Sequence, residues 1–126
     1  MPKQVHNDVL DFGLDTIKTK CTREGIVSTT IPSSVSSAST VCFAIKAMTT
    51  AAYTINDGDV SGRKITIAQQ STIPITTTGT AGHIILFSTG ATGTIYYATS
   101  CTTQALVSTA NSVTINAWDI EIADPT

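Results

Sequence analysis

The sequence predicts a mainly β protein: a single small β-sandwich or β-barrel domain with one N-terminal amphipathic helix. Thr, Ile and Val, the β-branched residues that favour strands, supply 24, 15 and 8 of the 126 residues. Hydrophobic residues make up 41% of the chain and charged residues only 13%. The chain therefore has enough apolar residues to form a buried core, and this composition excludes a disordered protein. Short apolar runs recur at intervals of roughly 8 to 12 residues with turn residues between them, which is typical of sandwiches and barrels.

The one predicted helix covers residues 7–20. Placed at about 100° per residue, its apolar side chains fall on one face and its acidic side chains on the other. The apolar face comprises Val9, Leu10, Gly13, Leu14, Ile17 and Cys21. Asn7 is a suitable N-cap, whereas Phe12 points away from the apolar face. The helix either covers the core of its own domain or docks as an arm on a neighbour. We therefore divide one compact domain into a helix or arm, residues 1–22, and a β part, residues 23–126.

Five strand candidates follow the helix, and a Ser-rich loop at residues 32–40 separates the first two. They are GIVSTTI, TVCFAIKAM, AAYTI, RKITIA and STIPITT. RKITIA alternates cleanly, with Ile65 and Ile67 on one face and Lys64 on the other. Pro74 cannot donate a ladder hydrogen bond, so its strand is expected at an edge or to end at a bulge.

The clearest hairpin is GHIILFSTGATGTIYYATS, in which two apolar runs flank the five-residue loop TGATG. The adjacent Tyr96 and Tyr97 must face opposite sides of their strand. QALVSTA and VTINAWDIEI complete the set of strands.

The spacing D-x-D-x-S-G, formed by Asp57, Asp59, Ser61 and Gly62, opens a calcium-binding loop in some proteins. Such a loop needs a bidentate Glu at its twelfth position, and here that position holds Ala68. Asp, Asn and Gly also favour tight turns between strands. The stretch is therefore predicted to be a strand-joining turn.

The cysteines and histidines give no pattern for metal binding or catalysis. Cys21, Cys42 and Cys101 are odd in number, match no C-x-x-C spacing and are predicted to be buried free thiols. A zinc site would need His6 or His83 nearby, which the spacing does not support. His83 opens an apolar strand and is predicted to be half-buried with a backbone partner. We expect no metal, no cofactor and no enzymatic activity.

Charge and hydropathy exclude two classes of partner. The net charge is −2, and no three of the seven Lys and Arg residues cluster, so we expect no nucleic-acid binding. No apolar run is long enough to span a membrane. The N-terminal residues contain no apolar stretch of signal-peptide length, so we expect synthesis without secretion, yet the composition, rich in Thr and Ser, is typical of proteins that face the outside. A virion component, assembled in the host cytoplasm and released by lysis, reconciles the two observations.

The C-terminal run WDIEIADPT predicts a strand with one acidic face. Ile120 and Ile122 point one way, and Asp119 and Glu121 point the other. The acidic face is either solvated surface or a contact for a basic partner. Trp118, the only Trp, is predicted to anchor this strand in the core.

Three segments, VLDFGLDTIKTKCTREGI, DGDVSGRKITIAQQ and AWDIEIADP, occur in this order around the hairpin GTAGHIILFS...TIYYAT. Together they resemble a family of small tailed-phage virion proteins encoded near the major capsid protein. The resemblance implies a head decoration, or cement, protein that binds the major capsid protein on the outer head lattice and stabilises that lattice. It also implies a homo-oligomer, with a trimer favoured. The candidate contact residues are Leu10, Leu14, Ile17, Asp119 and Glu121.

The alternative is a carbohydrate-binding or adhesion module on a tail or fibre. Such a module is expected to expose aromatic side chains on which sugars stack. The chain offers four aromatic residues for this role, Tyr53, Tyr96, Tyr97 and Trp118. An enzyme is the least favoured class, because no nucleophile has a credible base beside it.

Overall fold

The computed structural model describes residues 7–32, 42–88, 95–107 and 112–123. These residues form one α-helix, a short 3-10 helix at Thr50–Ala52 and nine strands. The α-helix and strands are α1 Asn7–Lys20, β1 Arg23–Val27, β2 Ala44–Ala47, β3 Tyr53–Asp57, β4 Arg63–Ile67, β5 Gln70–Pro74, β6 Gly79–Phe87, β7 Ile95–Leu106, β8 Ser112–Ile115 and β9 Trp118–Ile122. The mainly β class with one N-terminal helix is confirmed.

The strands form three antiparallel sheets. The four-stranded sheet has the order β2-β1-β6-β7, the three-stranded sheet β3-β4-β9 and the two-stranded sheet β5-β8. The described strands close no barrel, and the arrangement is that of a small β-sandwich-like domain. Of the two architectures left open by the sequence, the sandwich is therefore the one observed.

Helix α1 covers the core of its own domain. Leu14 is only 1% exposed and packs in a cluster with residues of the three-stranded sheet and with Leu86 of β6, while Ile17 is half-buried against the same cluster. The hydroxyl of Tyr53 donates a 2.9 Å hydrogen bond to the carbonyl of Cys21, just after the helix ends. Phe12, predicted to point off the apolar face, is 75% exposed. The boundary drawn after residue 22 falls between α1 and β1.

Strand β1 is buried on both faces because a cluster of buried side chains packs on each face of the sheet at this strand. Ile26 belongs to a cluster on the face toward β5 and β8, whereas Val27 packs with Ile85 and Phe87 on the opposite face. Gly25 makes this packing possible, since a Cβ there would lie 2.8 Å from the sulfur of Cys42. The core therefore lies on both sides of this sheet.

Two strand boundaries differ from the prediction. QALVSTA was expected to be a separate strand, but β7 continues through Leu106 because it stays paired with β6 as far as Gly79. The run VTINAWDIEI was expected to be one strand, but it divides at Asn116 and Ala117. It divides because β8 pairs with β5 and β9 pairs with β4, in different sheets.

Pro74 occupies the position expected of a proline in a sheet. It is the last residue of β5, which among the described strands has a ladder only with β8. The register of that pair shifts between Gln70 and Ile73, and Thr72 there has a left-handed φ of 57°. The predicted edge position is confirmed, whereas the bulge lies within β5, before Pro74, and does not end the strand.

Several predicted features lie outside the described residues: His6, residues 33–40 of the Ser-rich loop, and the TGATG loop. Within the parts that the structure describes, no helix is long and apolar enough to cross a membrane.

Candidate interaction surface

The three-stranded sheet has one apolar face and one polar face. Ile65 and Ile67 of β4 are fully buried toward helix α1. On the opposite face the register aligns polar side chains across β3, β4 and β9. These rows are Asn56, Lys64 and Glu121, and Thr54, Thr66 and Asp119. Apolar and polar residues alternate along β4 and β9, and this alternation places the polar side chains together on the face away from helix α1.

Acidic side chains gather at one end of this face. They come from strand β9 and from the hairpin that joins β3 to β4. The cluster, here called the acidic patch, consists of three carboxylates and one cation: Asp59, Lys64, Asp119 and Glu121. The carboxylates therefore exceed the cations by two negative charges.

Contacts within the acidic patch hold its carboxylates in place. The Nζ of Lys64 lies 2.7 Å from Oδ1 of Asp59 and 3.4 Å from Oδ2 of Asp119. The hydrogen bond to Asp59, with the contribution of Asp119, raises the pKa of Lys64 and keeps it charged. Oε2 of Glu121 accepts a 3.2 Å hydrogen bond from the backbone N–H of Asp59. Asp119 and Glu121 are thus oriented by their neighbours while both remain exposed to solvent.

The D-x-D-x-S-G stretch is a turn, as predicted. The N–H of Gly58 donates a 3.0 Å hydrogen bond to the carbonyl of Gly62, which closes the hairpin. Gly62 has a φ of 74°, and a Cβ there would collide with the carbonyl oxygen of Ile122. Asp57 accepts a 2.5 Å hydrogen bond from Arg63, so each Asp of the motif faces a cation of its own chain.

The predicted contact residues separate into two groups. Leu14 is buried in the core of its own domain, so its side chain is not accessible to a partner and does not belong to the contact surface. Ile17 is half-buried against the same core. The side chain of Leu10 lies outside the described residues. Asp119 and Glu121 remain exposed, and the fold brings them together with the β3–β4 turn.

The contribution of Asp59 to this surface is not evident from the sequence, which indicates only a calcium ligand or a turn residue at this position. Asp59 lies 62 residues before Glu121, which accepts a hydrogen bond from its backbone N–H. The matching alternation of RKITI and WDIEI was the available signal, but alternation alone does not say which strands pair.

The sequence likewise does not predict the burial of the Glu24 carboxyl. Its side chain is 0% exposed, and its Oε2 accepts a 2.9 Å hydrogen bond from Nε1 of Trp118. Within the described part of the chain, Oε1 has no hydrogen-bond partner. Burial raises the pKa of Glu24 to about 7, and the bond from Trp118 opposes this rise only in part.

Trp118 joins two parts of the core, as predicted for the anchor of β9. Its side chain is half-buried and packs against two clusters of buried residues, the one that contains Leu14 of helix α1 and the one that contains Ile26 of β1. Its ring lies 5.9 Å from that of Tyr97, centroid to centroid. Tyr96, the neighbour of Tyr97, is 37% exposed and is the extra residue at a shift in the register of β6 and β7.

The three cysteines and His83 lie in surroundings that are typical of structural residues. All three cysteines are free; Cys21 and Cys42 are buried as predicted, whereas Cys101 is only partly buried. Burial raises the pKa of Cys21 to about 12 and that of Cys42 to about 11, so both stay protonated at neutral pH. His83 is half-buried, and its Nδ1 lies 3.0 Å from the carbonyl oxygen of Ser28, the predicted kind of backbone partner.

Among the residues that the structure describes, no group of three His, Cys, Asp or Glu side chains is placed to hold a metal ion. An open groove of about 590 Å³ lies between β7 and the β8–β9 segment. Its floor includes Ile26 and Ile84, and polar side chains line it beside Trp118. The polar lining includes Thr99, Thr102, Gln104, Thr114 and Asn116.

No family model, curated protein or solved structure matches the chain. Its fold and surface define a small, mainly β domain with an oriented, solvent-exposed acidic patch.

Proposed function

We propose that this protein is a bacteriophage virion structural protein, a decoration or cement protein that binds the outer lattice of the head and stabilises it. The observation that carries the proposal is the acidic patch on the outer face of the three-stranded sheet. The resemblance to small tailed-phage virion proteins supplies the partner, the major capsid protein.

The geometry of the acidic patch supports a passive, electrostatic contact. Lys64 and the backbone of Asp59 orient the carboxylates of Asp119 and Glu121, so less side-chain entropy is lost when a partner binds. The excess of two negative charges favours a basic surface. Charges that remain exposed contribute more to the rate and specificity of association than to the strength of a single contact.

Multiplicity compensates for weak individual contacts. A head lattice presents many identical sites, and a homo-oligomer that engages several of them gains effective affinity without any new contact. The proposed location is therefore the capsid surface, after assembly in the host cytoplasm. This role requires neither a cofactor nor a catalytic group.

The test replaces the two carboxyls of β9 by their isosteric amides. The double variant Asp119→Asn, Glu121→Gln keeps the shape of the acidic patch but removes two negative charges. Co-sedimentation with heads lacking this protein should show binding that is roughly 2- to 30-fold weaker per contact at low salt, since exposed ion pairs contribute about 0.2–1 kcal/mol each. The double variant should also bind with a weaker dependence on NaCl concentration than the wild type.

The matched control is Asp15→Asn, which removes one exposed carboxylate from helix α1, and this helix packs on the face of the three-stranded sheet opposite to the acidic patch. It should bind heads like the wild type. Unchanged binding of the double variant would remove the acidic patch from the proposal. An equal loss in both proteins would point to net charge instead of this surface.

The second candidate function is carbohydrate binding on a tail or fibre, and the groove is the observation that favours it. Hydroxyl and amide side chains beside a Trp, over an apolar floor, are the groups that bind neutral sugars. A glycan array should give a reproducible signal that Thr102→Val and Asn116→Ala weaken. Head binding that is sensitive to the acidic patch, without any glycan signal, favours decoration.

A further inference from the structure

Strand β7 is the longest strand of the described fold and lies at an edge. It has 12 residues, Ile95–Leu106, and is the last strand of the four-stranded sheet. Among the described strands it pairs with β6 only. One side of its backbone therefore presents hydrogen-bonding groups that no described strand takes up.

The other edge strands carry the features that discourage pairing with another chain, namely charges, proline or short length. Strand β2 contains Lys46, β3 contains Asp57, and β5 ends at Pro74. Strand β9 contains two acidic residues, and β8 has only four residues. Strand β7, IYYATSCTTQAL, contains neither a charged residue nor a proline.

The strand is also partly exposed. Of the twelve residues in β7, only Leu106 is buried; in the run Tyr97–Ser100, Ser100 is exposed and the other three residues are half-buried. The strand carries extra residues relative to β6 at two places, between Ile95 and Tyr97 and between Ser100 and Gln104. The run between these bulges, Tyr97–Ser100, is in continuous register with β6.

We propose that the free edge of β7 binds the same edge of a second copy of this chain, antiparallel and about a two-fold axis. Identical strands can pair in this way only if they do not place like charges opposite each other, and β7 satisfies this condition. Two copies of β9 would instead bring carboxylates together. The proposed contact joins two four-stranded sheets into one continuous sheet.

The two bulges limit the length of the proposed contact. Bulges twist a strand away from regular pairing, so the four-residue run Tyr97–Ser100 is the section that can pair. The two-fold axis then passes beside Ala98 or Thr99. Because successive residues rise by about 3.4 Å, the two copies of Thr99 lie directly opposite or roughly 7 Å apart along the strand. An isologous contact of this kind gives a closed dimer.

This inference is independent of the proposed capsid role, because it concerns the isolated chain. It differs from the trimer that the family resemblance favours. A contact between two copies of the same edge accommodates only two chains, so the mass in solution separates the two arrangements.

The first test uses the unmodified chain. Light scattering after size-exclusion chromatography at tens of micromolar should give the mass of a dimer. Amide hydrogen exchange should slow in Tyr97–Ser100 as the concentration rises from the monomeric to the dimeric range, with no comparable change in β3. A monomer at all concentrations, a trimer, or a dimer without protection in β7 would overturn the proposal.

The second test is a charge exchange at Thr99, which lines the open groove and so lets a longer side chain reach solvent. Thr99→Lys and Thr99→Glu should each be monomeric, because like charges meet across the axis. Mixing the two variants should restore the dimer. The matched control is Thr54→Lys, on the already charged edge strand β3, which should stay dimeric. If both Thr99 variants remain dimeric when unmixed, the contact does not involve β7.

Discussion

Glu24 is the side chain whose surroundings differ most from what its sequence context indicates. It follows Arg23 at the start of a strand, where an acidic residue is ordinarily exposed. The structure instead places it on the inner face of β1, bonded to Trp118, with one carboxyl oxygen unpaired among the described residues. By register, Lys46 of β2 and Leu86 of β6 are its cross-strand neighbours on that face. A group held in this way couples folding to pH.

The coupling predicts that stability falls as pH rises. The pKa of Glu24 is about 7 in the folded chain against an ordinary 4.5, so between these values the unfolded chain has already released a proton that the folded chain retains. The contribution is fully present below about pH 4.5 and is lost as the pH rises through about 7. Relative to Glu24→Gln, the wild type should lose about 3 kcal/mol of unfolding free energy between pH 4 and pH 8. Urea unfolding at several pH values measures this loss.

The single Trp provides a second measurement of the same group. Because Trp118 donates directly to Glu24, its fluorescence should titrate near pH 7 in the wild type and lose that transition in Glu24→Gln. Glu121→Gln, at an exposed position, is the control and should keep the transition. An identical pH dependence of stability in wild type and Glu24→Gln would contradict this account of Glu24.

Sequence could not reveal the burial of Glu24 because burial here comes from tertiary pairing. Alternation predicts which residues of a strand share a face, but buried side chains cover both faces of β1, so alternation does not distinguish its buried positions from exposed ones. The neighbours that enclose Glu24, such as Trp118 at a separation of 94 residues, are set by the fold.

At the scale of elements, helix α1 is the best predicted part of the chain. Its bounds, the inward positions of Leu14 and Ile17 and the outward position of Phe12 all follow from a period of 3.6 residues. The sequence left open whether this face covers its own core or a neighbouring protein. Packing of Leu14 against the three-stranded sheet shows that it covers its own core.

The helix therefore contributes to stability. Leu14→Ala should lower the unfolding free energy by about 2–5 kcal/mol, because it removes buried methyl groups and leaves a cavity. The matched control on the same helix is Phe12→Ala, which removes a largely exposed side chain and should change stability by less than about 0.5 kcal/mol. Chemical denaturation measures both. Equal effects of the two substitutions would mean that α1 does not pack as described.

The strands were predicted more reliably in number than in extent. Each apolar run became a strand, but QALVSTA merged with the strand before it and VTINAWDIEI split into β8 and β9. Both differences arise from pairing. Strand β7 extends as far as β6 offers a partner, and β8 and β9 separate because their partners belong to different sheets.

At the scale of the whole molecule, only part of the acidic patch could be predicted from the sequence. Alternation in WDIEI identified the acidic face of Asp119 and Glu121 from sequence alone. The contribution of the β3–β4 turn was not predictable, because it depends on β4 pairing with β9. The exclusion of Leu14 likewise required the packing of the complete domain.

The central claim, that the chain decorates the phage head, is tested most directly by its copy number in purified particles. Quantitative gel analysis against the major capsid protein gives that ratio in one experiment. The account predicts a ratio near one, or a simple fraction such as one third, because a decoration protein occupies a repeating lattice. A few copies per particle would contradict it and favour a tail or fibre position, and absence from the particle would contradict any virion role.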